Sequence, residues 1–533
     1  MNTNNDELSS FAIPVVCKKN YKVSRSLTNK LTLMFIGGLL LPSCMVGPDY
    51  KAPKVFIPPK FKEMKGQKQA KQEPPPSNDW KPIEPQNYCQ HSKWWEIFND
   101  PLLNELEEQL NRYNQNIVNA QANYIQALAI VEQARASLFP TVAGSFQIFR
   151  QKQGGGTTTL ISSSGGATST ATTTTGVTGS SATTTSFSSV LSASWEPDVW
   201  GLARRTIESD LAAAQSNAAL IAYTRLSAQG SLAQYYFELR TLDTDQKLLD
   251  DTVKSYKRAL LLTRNQYVSG VASQVAVAQA KAQLESAEAQ ALNNGILRGQ
   301  YEHAIAVLMG RPPASLSLKF MPLVLKAPTI PVEVPSVWLE RRPDVAEAER
   351  LVQKTSALIG VAIAAYFPVL SLTSTASAAG NTFHHLIHTP SIGWSAGVQI
   401  AETIFDAGLR AATVRAAKAA YYAQIAAYRQ AVLTAFQDVE DNLIALRILG
   451  EQRLVQNRAA ASSKYALKLV FNQYKAGTVD YTSVITAQIT AYTAQKAAND
   501  VAGLQMSAEV GLIKALGGGW DAKSLRCVLK DHS

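Results

Sequence analysis

LARRTIESDLAAAQSNAALIAYTRLSAQGSLAQYYFELRTLDTDQKLLDDTVKSYKRALLLTRNQY, residues 202 to 267, contains no proline and sets apolar side chains at Leu232, Tyr235, Leu239, Leu242, Leu249, Val253, Tyr256 and Leu260. The alternating three-four spacing, broken only at Gln246, predicts one coiled-coil helix. At 1.5 Å per residue it runs roughly 100 Å, several times the width of a small domain, which rules out a globular core helix.

The same stretch occurs twice. Gln266-Tyr267-x-x-Gly270 returns as Gln473-Tyr474-x-x-Gly477, Gly201-Leu202 as Gly408-Leu409, and Gly310 as Gly517, all at an offset of 207 residues. A constant offset over so long a span means duplication without net insertion. Upstream, Leu138-Phe139-Pro140 matches Tyr366-Phe367-Pro368 at an offset of 228, so the first copy carries 21 extra residues, which coincide with a Thr/Ser/Gly tract. Each copy therefore reads as helix, strand pair, very long helix and return helix. The return helices span about 273–309 and 482–516 and are rich in Ala and Gln.

The strands show as a change of period. Val142, Phe146 and Ile148 alternate with Ser145 and Gln147, and Phe187, Leu191, Ala193 and Trp195 with Ser188, Ser192 and Ser194. In the second copy Leu370 and Leu372 oppose Ser371 and Thr373, and Ile392, Trp394, Ala396, Val398 and Ile400 oppose Gly393, Ser395, Gly397 and Gln399. Half-apolar strands of this length fit the wall of a transmembrane β-barrel, with Ile392, Trp394, Val398 and Ile400 facing lipid. Four strands cannot close a barrel, so the wall has to be shared between chains, and three copies supply twelve strands.

The 533 residues are 46% hydrophobic and 17% charged, with a formal charge of +10. No basic cluster with interleaved aromatics accompanies that charge, which argues against a nucleic-acid partner. Leu31 to Leu41 is an apolar run behind a basic segment and ahead of Pro42-Ser43-Cys44, the layout of a secretory leader. Leu41 and Ser43 ahead of Cys44 resemble a bacterial lipobox, in which the cysteine is diacylated and becomes the N-terminus; an ordinary cleaved leader is the alternative. Met45 lacks the aspartate that commonly retains such lipoproteins at the inner membrane. Prolines are dense from Pro48 to Pro85, predicting an extended tether with few hydrogen bonds. Asp100-Pro101 is a helix cap followed by a first helical residue, and a helical stretch free of internal breakers continues to Leu138. Cys89 and Cys527 either pair in an oxidising compartment or stay free. The tract 154–186 is low-complexity and reads as a loop.

Two motifs invite a chemical reading. Gly393-Trp394-Ser395-Ala396-Gly397 fits G-x-S-x-G, but that nucleophile needs a sharp strand-to-helix elbow, whereas here it lies within an alternating strand. His384, His385 and His388 cluster before Pro390 with no carboxylate nearby in sequence, so an exposed loop is favoured over a metal site. No phosphate loop, zinc spacing or acid pair is present. We expect no enzyme activity, no catalytic residue, no metal and no cofactor.

Several separate motifs carry a family resemblance: Cys44-Met-Val-Gly47-Pro48-Asp49-Tyr50, Trp94-Trp95, Trp195-x-x-Asp198-x-Trp200-Gly201, Arg341-Arg342-Pro343-Asp344-Val345, Phe367-Pro368 and Ile404-Phe405-Asp406-x-Gly408. Together they resemble the TolC-like outer-membrane factors of tripartite efflux systems, in the lipoprotein branch that includes OprM and NodT-type proteins. The chain departs at Pro197 and in its long Thr/Ser tract. The resemblance implies a mainly α fold with a β-barrel portion: a homotrimer with four strands per chain in a twelve-stranded outer-membrane barrel, continuing into a long periplasmic helical barrel. The expected divisions are a leader (1–43), anchor and tether (44–93), first repeat (94–311), connector (312–343), second repeat (344–519) and tail (520–533). The implied function is a passive export duct, for efflux or alternatively for type I protein secretion. A structural coiled-coil lipoprotein is the remaining reading, although it would not need amphipathic strands. Implied partners are a periplasmic adaptor (membrane fusion) protein, an inner-membrane pump and outer-membrane lipid. The adaptor would meet the helix reversals at Tyr267, Gly270, Ser273, Tyr474, Gly477, Asp480 and Tyr481. Matching positions for the acidic rings of known members are Ser483 and Thr486, both uncharged, which leaves Asp480 either as a weak ring or as a helix cap.

Overall fold

The computed structural model describes residues 45–58, 61–63, 93–152, 183–323, 342–383 and 392–518, which belong to one compact unit beginning at Met45. A short 3-10 turn, Trp94–Phe98, leads into α1 (Pro101–Tyr113) and α2 (Gln115–Ala136). Strands β1 (Thr141–Lys152) and β2 (Thr183–Trp195), long helix α3 (Leu202–Val268) and return helix α4 (Gln274–Leu308) complete the first copy. The second copy is α5 (Pro343–Ala364), β3 (Val369–Gly380), β4 (Ile392–Ala401), α6 (Leu409–Lys475) and α7 (Tyr481–Ala515).

The duplication is visible in element lengths. Helices α3 and α6 are each 67 residues, α4 and α7 each 35, and α2 and α5 each 22. The ends repeat too. Gly270 has φ 75 and Gly477 φ 72, with Gly310 at 67 and Gly517 at 82. After α3 the Gly270 amide donates to Tyr267 O and the Val271 amide to Gln266 O; after α6 the Gly477 and Thr478 amides donate to Tyr474 O and Gln473 O. This is the Schellman arrangement, which needs a left-handed residue and so selects glycine.

One helical expectation is corrected. The stretch to Leu138 is not continuous, because Asn114 leaves the helical region at ψ 120 and caps α2 through its side chain. Its amide also donates to Leu308 O at 2.7 Å, and Gly310 packs so closely on Tyr113 that a Cβ would overlap its carbonyl. The break lets α1 cross α3 and bury Leu103, Leu106 and Leu110 with Leu232, Tyr236, Phe237 and Ile305. Asp100 caps α1 as expected, accepting from the Leu102 and Leu103 amides, and its second oxygen accepts the buried Tyr236 hydroxyl.

The chain before α1 is also corrected. Residues 45–63 do not form a free tether where they are described. They lie against the second copy. Tyr50 donates to Glu349 at 3.2 Å and packs with Val345, Val352, Tyr428 and Val432. Phe61 packs on Val439 and Leu443, and the Lys62 and Glu63 amides donate to Glu440 at 2.6 and 3.0 Å. Few backbone partners within a segment do not make it loose when side chains dock it.

Buried charge is concentrated at mid-length. Arg240 pairs with Asp243, and Arg298 with Asp243 and Glu302, at 2.7–3.0 Å. The same carboxylates receive the Met321 and Leu318 amides, binding the segment after α4 onto α3. Arg342 plays a similar part for the second copy. It donates to Ala435 O and Ala515 O and pairs with Asp344 and Asp438, so it satisfies a last-turn carbonyl of α7.

Two buried carboxyls are not paired. Glu107 is fully buried, with neither oxygen partnered among the described residues, and burial pushes its pKa well above the carboxylate range. Burial likewise pushes Glu509 up to about 8, with Arg453 opposing it in part. Both groups hold a proton more tightly folded than unfolded, so unfolding releases protons once pH exceeds the ordinary glutamate value, and stability falls as pH rises through about 8. Melting followed from about pH 5 to about pH 8 should therefore show a declining midpoint. The decline should flatten in the Glu107→Gln and Glu509→Gln variants, and an undiminished decline in both would remove this assignment.

Candidate functional site

The four strands form one antiparallel sheet in the order β1-β2-β3-β4. Its registers decide what the faces carry. Gly144 opposes Leu191, Leu191 opposes Ala376, and Ala376 opposes Trp394. Partners across a ladder share a face, so Val142, Phe146, Ile148, Phe187, Leu191, Leu370, Leu372, Ile392, Trp394, Val398 and Ile400 all lie on one side. The other side carries Ser145, Gln147, Ser188, Ser192, Ser371, Thr373, Thr375, Ser395 and Gln399. The large apolar exceptions on the polar side are Val190, Phe149 and Val369, and the charged exceptions on the apolar side are Arg150 and Lys152, at the far end of β1. No helix covers the apolar side: Trp394 is 81% exposed, Ile400 70% and Val398 68%. Exposed apolar patches of this extent mark a surface meant for an apolar neighbour.

Ser395, the serine of the G-x-S-x-G pattern, sits in mid-strand opposite Thr375, with the two hydroxyls 2.7 Å apart. The serine lies in regular strand rather than at a strand-to-helix elbow, and the hydroxyl it meets is that of Thr375. The residues His384, His385, His388, Cys44, Cys89, Cys527 and Arg341 lie outside the described residues. Among the described residues, no group of three His, Cys, Asp or Glu side chains is placed to hold a metal.

The far ends of the hairpins bring the predicted tip residues together, in two different roles. Tyr474 and Tyr481 are not docking surface in this chain. They are buried at 5% and 3% exposure, set their rings at a tilt with centroids 5.3 Å apart, and pack with Ala259, Ala280 and Val484. The Tyr474 hydroxyl also lies 3.0 Å from that of Thr263, so it joins the two hairpins to one another. Tyr267, Gly270, Ser273, Gly477 and Asp480 remain exposed. Asp480 is the cap of α7: its carboxylate accepts the Ser483 amide at 3.1 Å and the Ser483 hydroxyl at 2.7 Å. Those hydrogen bonds hold its pKa below the usual range, so it is ionised at neutral pH. Ser273 occupies the matching place before α4, accepting the Ala276 amide.

Ser483 and Thr486 line a groove of about 430 Å³ between α6 and α7, with Ser463, Ala466, Val470 and Thr490. Thr486 and Thr490 donate to the carbonyls four residues back, at 3.0 and 2.8 Å. Their hydroxyls are therefore committed to their own helix. From Asp480 to Thr490 the chain carries no acid beyond Asp480.

At the opposite end, Met45 packs on Gly201 so tightly that a Cβ there would lie 2.8 Å from its Cγ. The Val46 amide donates to Trp200 O. Arg205, 1% exposed, donates to Val46 O, Gly47 O and Asp49 and pairs with Glu208 at 2.7 Å. Gly47, at φ 100, lies against the Gly360 backbone with no room for a side chain. The segment is thus fastened at the strand–helix junction, beside Trp200, which donates to Pro368 O and stacks on Phe367. No spacing rule in the sequence announces Arg205. The nearest signal is glycine at both Gly47 and Gly360.

Comparisons with known proteins agree with this geometry. The family profile described as outer membrane efflux protein matches residues 106–311 and 334–518. The chain is 28% identical to the antibiotic efflux pump outer membrane protein ArpC of Pseudomonas putida, over 93% of this chain and 96% of that one. It is 30% identical to the pyoverdine export outer membrane protein OpmQ of Pseudomonas aeruginosa, over 82% of this chain and 90% of that one. Its fold superposes on the CmeC outer membrane channel of Campylobacter jejuni with a TM-score of 0.78 at 21% identity, covering 92% and 98% of the two chains.

The uncovered face predicts a depth-dependent cost. Val398→Arg places a charge on the apolar side, in the row of Leu372 and Trp195, and should destabilise the membrane-inserted protein, by about 2–4 kcal/mol at the bilayer midplane and less nearer its edge. The loss should show in unfolding from lipid vesicles. An equal loss for Gln399→Arg, one residue along on the polar side, would mean that the two faces are not solvated differently.

Proposed function

Because the chain belongs to the outer membrane efflux protein family, we propose that three copies share one twelve-stranded barrel in the outer membrane and continue below it as a helical tube. The assembly is a passive duct that carries small molecules from the periplasmic side to the exterior. The observation that supports this most is the sheet: four strands in register, one apolar face uncovered, and two edges without partners. Lipid leaves no backbone group unsatisfied except at a price of several kcal/mol, so only a closed barrel suits such a sheet. The cargoes named for two relatives, an antibiotic and pyoverdine, support small-molecule transport. The duct has no energy source of its own. A periplasmic adaptor would meet the exposed tip at Tyr267, Gly270, Ser273, Gly477 and Asp480, and an inner-membrane pump would supply the drive. Binding that favours an open entrance shifts its population without any chemistry in this chain.

Cys44 would carry the lipid. Met45 is fastened at the strand–helix junction, so acyl chains on the preceding residue would enter the membrane at the base of the sheet. Two or more chains give stable anchoring where one is marginal. Palmitate labelling should mark the wild type and not Cys44→Ser, and equal labelling of both would exclude the anchor.

The duct itself is tested in planar bilayers. Purified protein should be trimeric by mass and should form channels with modest cation preference, because Asp480 is the one acid in its turn and is followed by a hydroxyl-bearing stretch. Asp480→Asn should lower that preference further. Strong cation selectivity surviving Asp480→Asn would place the constriction elsewhere, and a monomer without conductance would exclude the shared duct.

A further inference from the structure

The duplication specifies how one copy of the chain meets the next. Three chains in a ring contain six repeats, and each repeat contacts the following one. Half of those contacts lie within a chain and are visible. The other half lie between chains, and the constant offsets translate one set into the other. Copy 1 residues move forward by 207 in β2 and α3, while copy 2 residues move back by 228 in α5 and β3 and by 207 in α7. The internal ladders confirm the rule: Val142 opposes Ala193, and Leu370, 228 residues on, opposes Ile400, 207 residues on.

We propose that β4 of one chain pairs antiparallel with β1 of a second copy in the register Val398 opposite Ile148 and Ile400 opposite Phe146. The proposal rests on the reading that three copies share one barrel. Its template is the ladder between β2 and β3, where Leu191 opposes Ala376 and Ala193 opposes Ser374. The translated pairs keep Phe146, Ile148, Val398 and Ile400 on the apolar face, with Arg150 and Lys152 at the far end opposite Ala396 and Trp394, and they fill the small positions of the template with β-branched and aromatic side chains, the pairs that stabilise a ladder most. A slip of one residue would set Val398 opposite Gln147 or Phe149 and join the apolar face of one chain to the polar face of the next.

The same translation explains exposed side chains in the helices. Within the chain, α7 places Met506, Val510 and Ile513 in the same apolar cluster as Leu232, Phe237 and Leu239 of α3, and beyond that cluster the two helices meet through polar or very close contacts: Thr241 lies against Gly503, and Asp245 accepts from Asn499 at 2.9 Å. Translated, Thr241 and Gly503 become Ile448 and Ile296, which are 45% and 60% exposed in the single chain. Nearer the sheet, the stem of Arg205 lies over Gly360. The translated pair is Ala412 with Glu132, with the large and small partners exchanged. Complementary volume at an independent level is what a real seam would show.

The register is read by disulfide trapping. Directly opposed residues lie about 4.5–5.5 Å apart between Cα atoms, within the range of a disulfide, whereas a two-residue slip puts them about 8 Å apart, beyond it. In full-length protein carrying Cys89→Ser and Cys527→Ser, the pair Val398→Cys with Ile148→Cys should yield covalent trimers that reduction returns to monomers. Val398→Cys with Phe146→Cys or with Arg150→Cys should not. A slipped pair that cross-links in preference, or no cross-link from any pair in a protein trimeric by mass, overturns the register. Wild-type protein that is monomeric by mass overturns the shared barrel instead. Ile296→Cys with Ile448→Cys, on helices whose folding does not depend on the strand substitutions, should trap the same trimer, and its failure in a trimeric protein overturns the seam below the sheet.

Discussion

An unpaired strand edge cannot be left in hydrocarbon, and the rest of the structure follows from that constraint. Each backbone amide or carbonyl stripped of water without a partner costs several kcal/mol. The 12 residues of β1 and the 10 of β4 each present such an edge. Covering them with loops of the same chain is not an option at that depth. A single chain with four strands is therefore an incomplete object, and its helices have to be arranged so that copies meet along their whole length rather than at one patch.

That requirement accounts for the helical layer. Two hairpins of 67 and 35 residues, equal in both copies, extend the seam far below the sheet. Long helices pack side by side only where the contact is thin, and the close approaches use glycine: Gly503 against Thr241, Gly511 against Asn442, Gly230 against Lys514. At mid-length α1 adds a second layer, and it is there that the buried charges sit. Arg240, Arg298 and Arg342 each bind a non-helical segment or a helix end to a long helix. Breaking such a group would strand the remaining partners in low dielectric, which is costlier than never having had the pair. The equator is thus cross-linked by buried charge, whereas near the tips the two hairpins are joined by the Tyr474–Thr263 contact and the apolar cluster around it.

The fold was largely legible in the sequence because its signals are repetitive. A constant offset located every long helix to within a residue or two, and alternation assigned both faces of the sheet, since period two and period 3.6 leave distinct patterns. What could not be read depends on single contacts between residues far apart in the chain. Asn114 looks like any polar residue in a helix until Leu308 and Gly310 are placed beside it. The proline-rich start reads as a free tether because composition reports backbone preference and says nothing of Glu349 or Glu440, which hold it. Tyr474 and Tyr481 read as exposed tip residues because the repeat pattern marks the turn, whereas their burial depends on the other hairpin lying alongside. At the tip, composition left Asp480 open between a charge ring and a cap, and only the position of Ser483 shows the cap.

A duplicated chain that closes into a ring holds two versions of what was once one interface, and their chemistry has diverged in a physically sensible direction. The contacts between copies within the chain are tethered, so their effective concentration is high and polar, adjustable pairs such as Asp245 with Asn499 and Lys496 suffice. The contacts between chains also have to offset the translational and rotational freedom lost on association. Apolar burial is the non-directional term available for that, and of the exposed residues at the four translated positions Leu292, Ile296 and Ile448 are apolar, while Gln452, in the place of Asp245, is polar. At this level the seam between separate molecules takes Leu292, Ile296 and Ile448 where its internal twin, assembled by chain connectivity, has Asn499, Gly503 and Thr241.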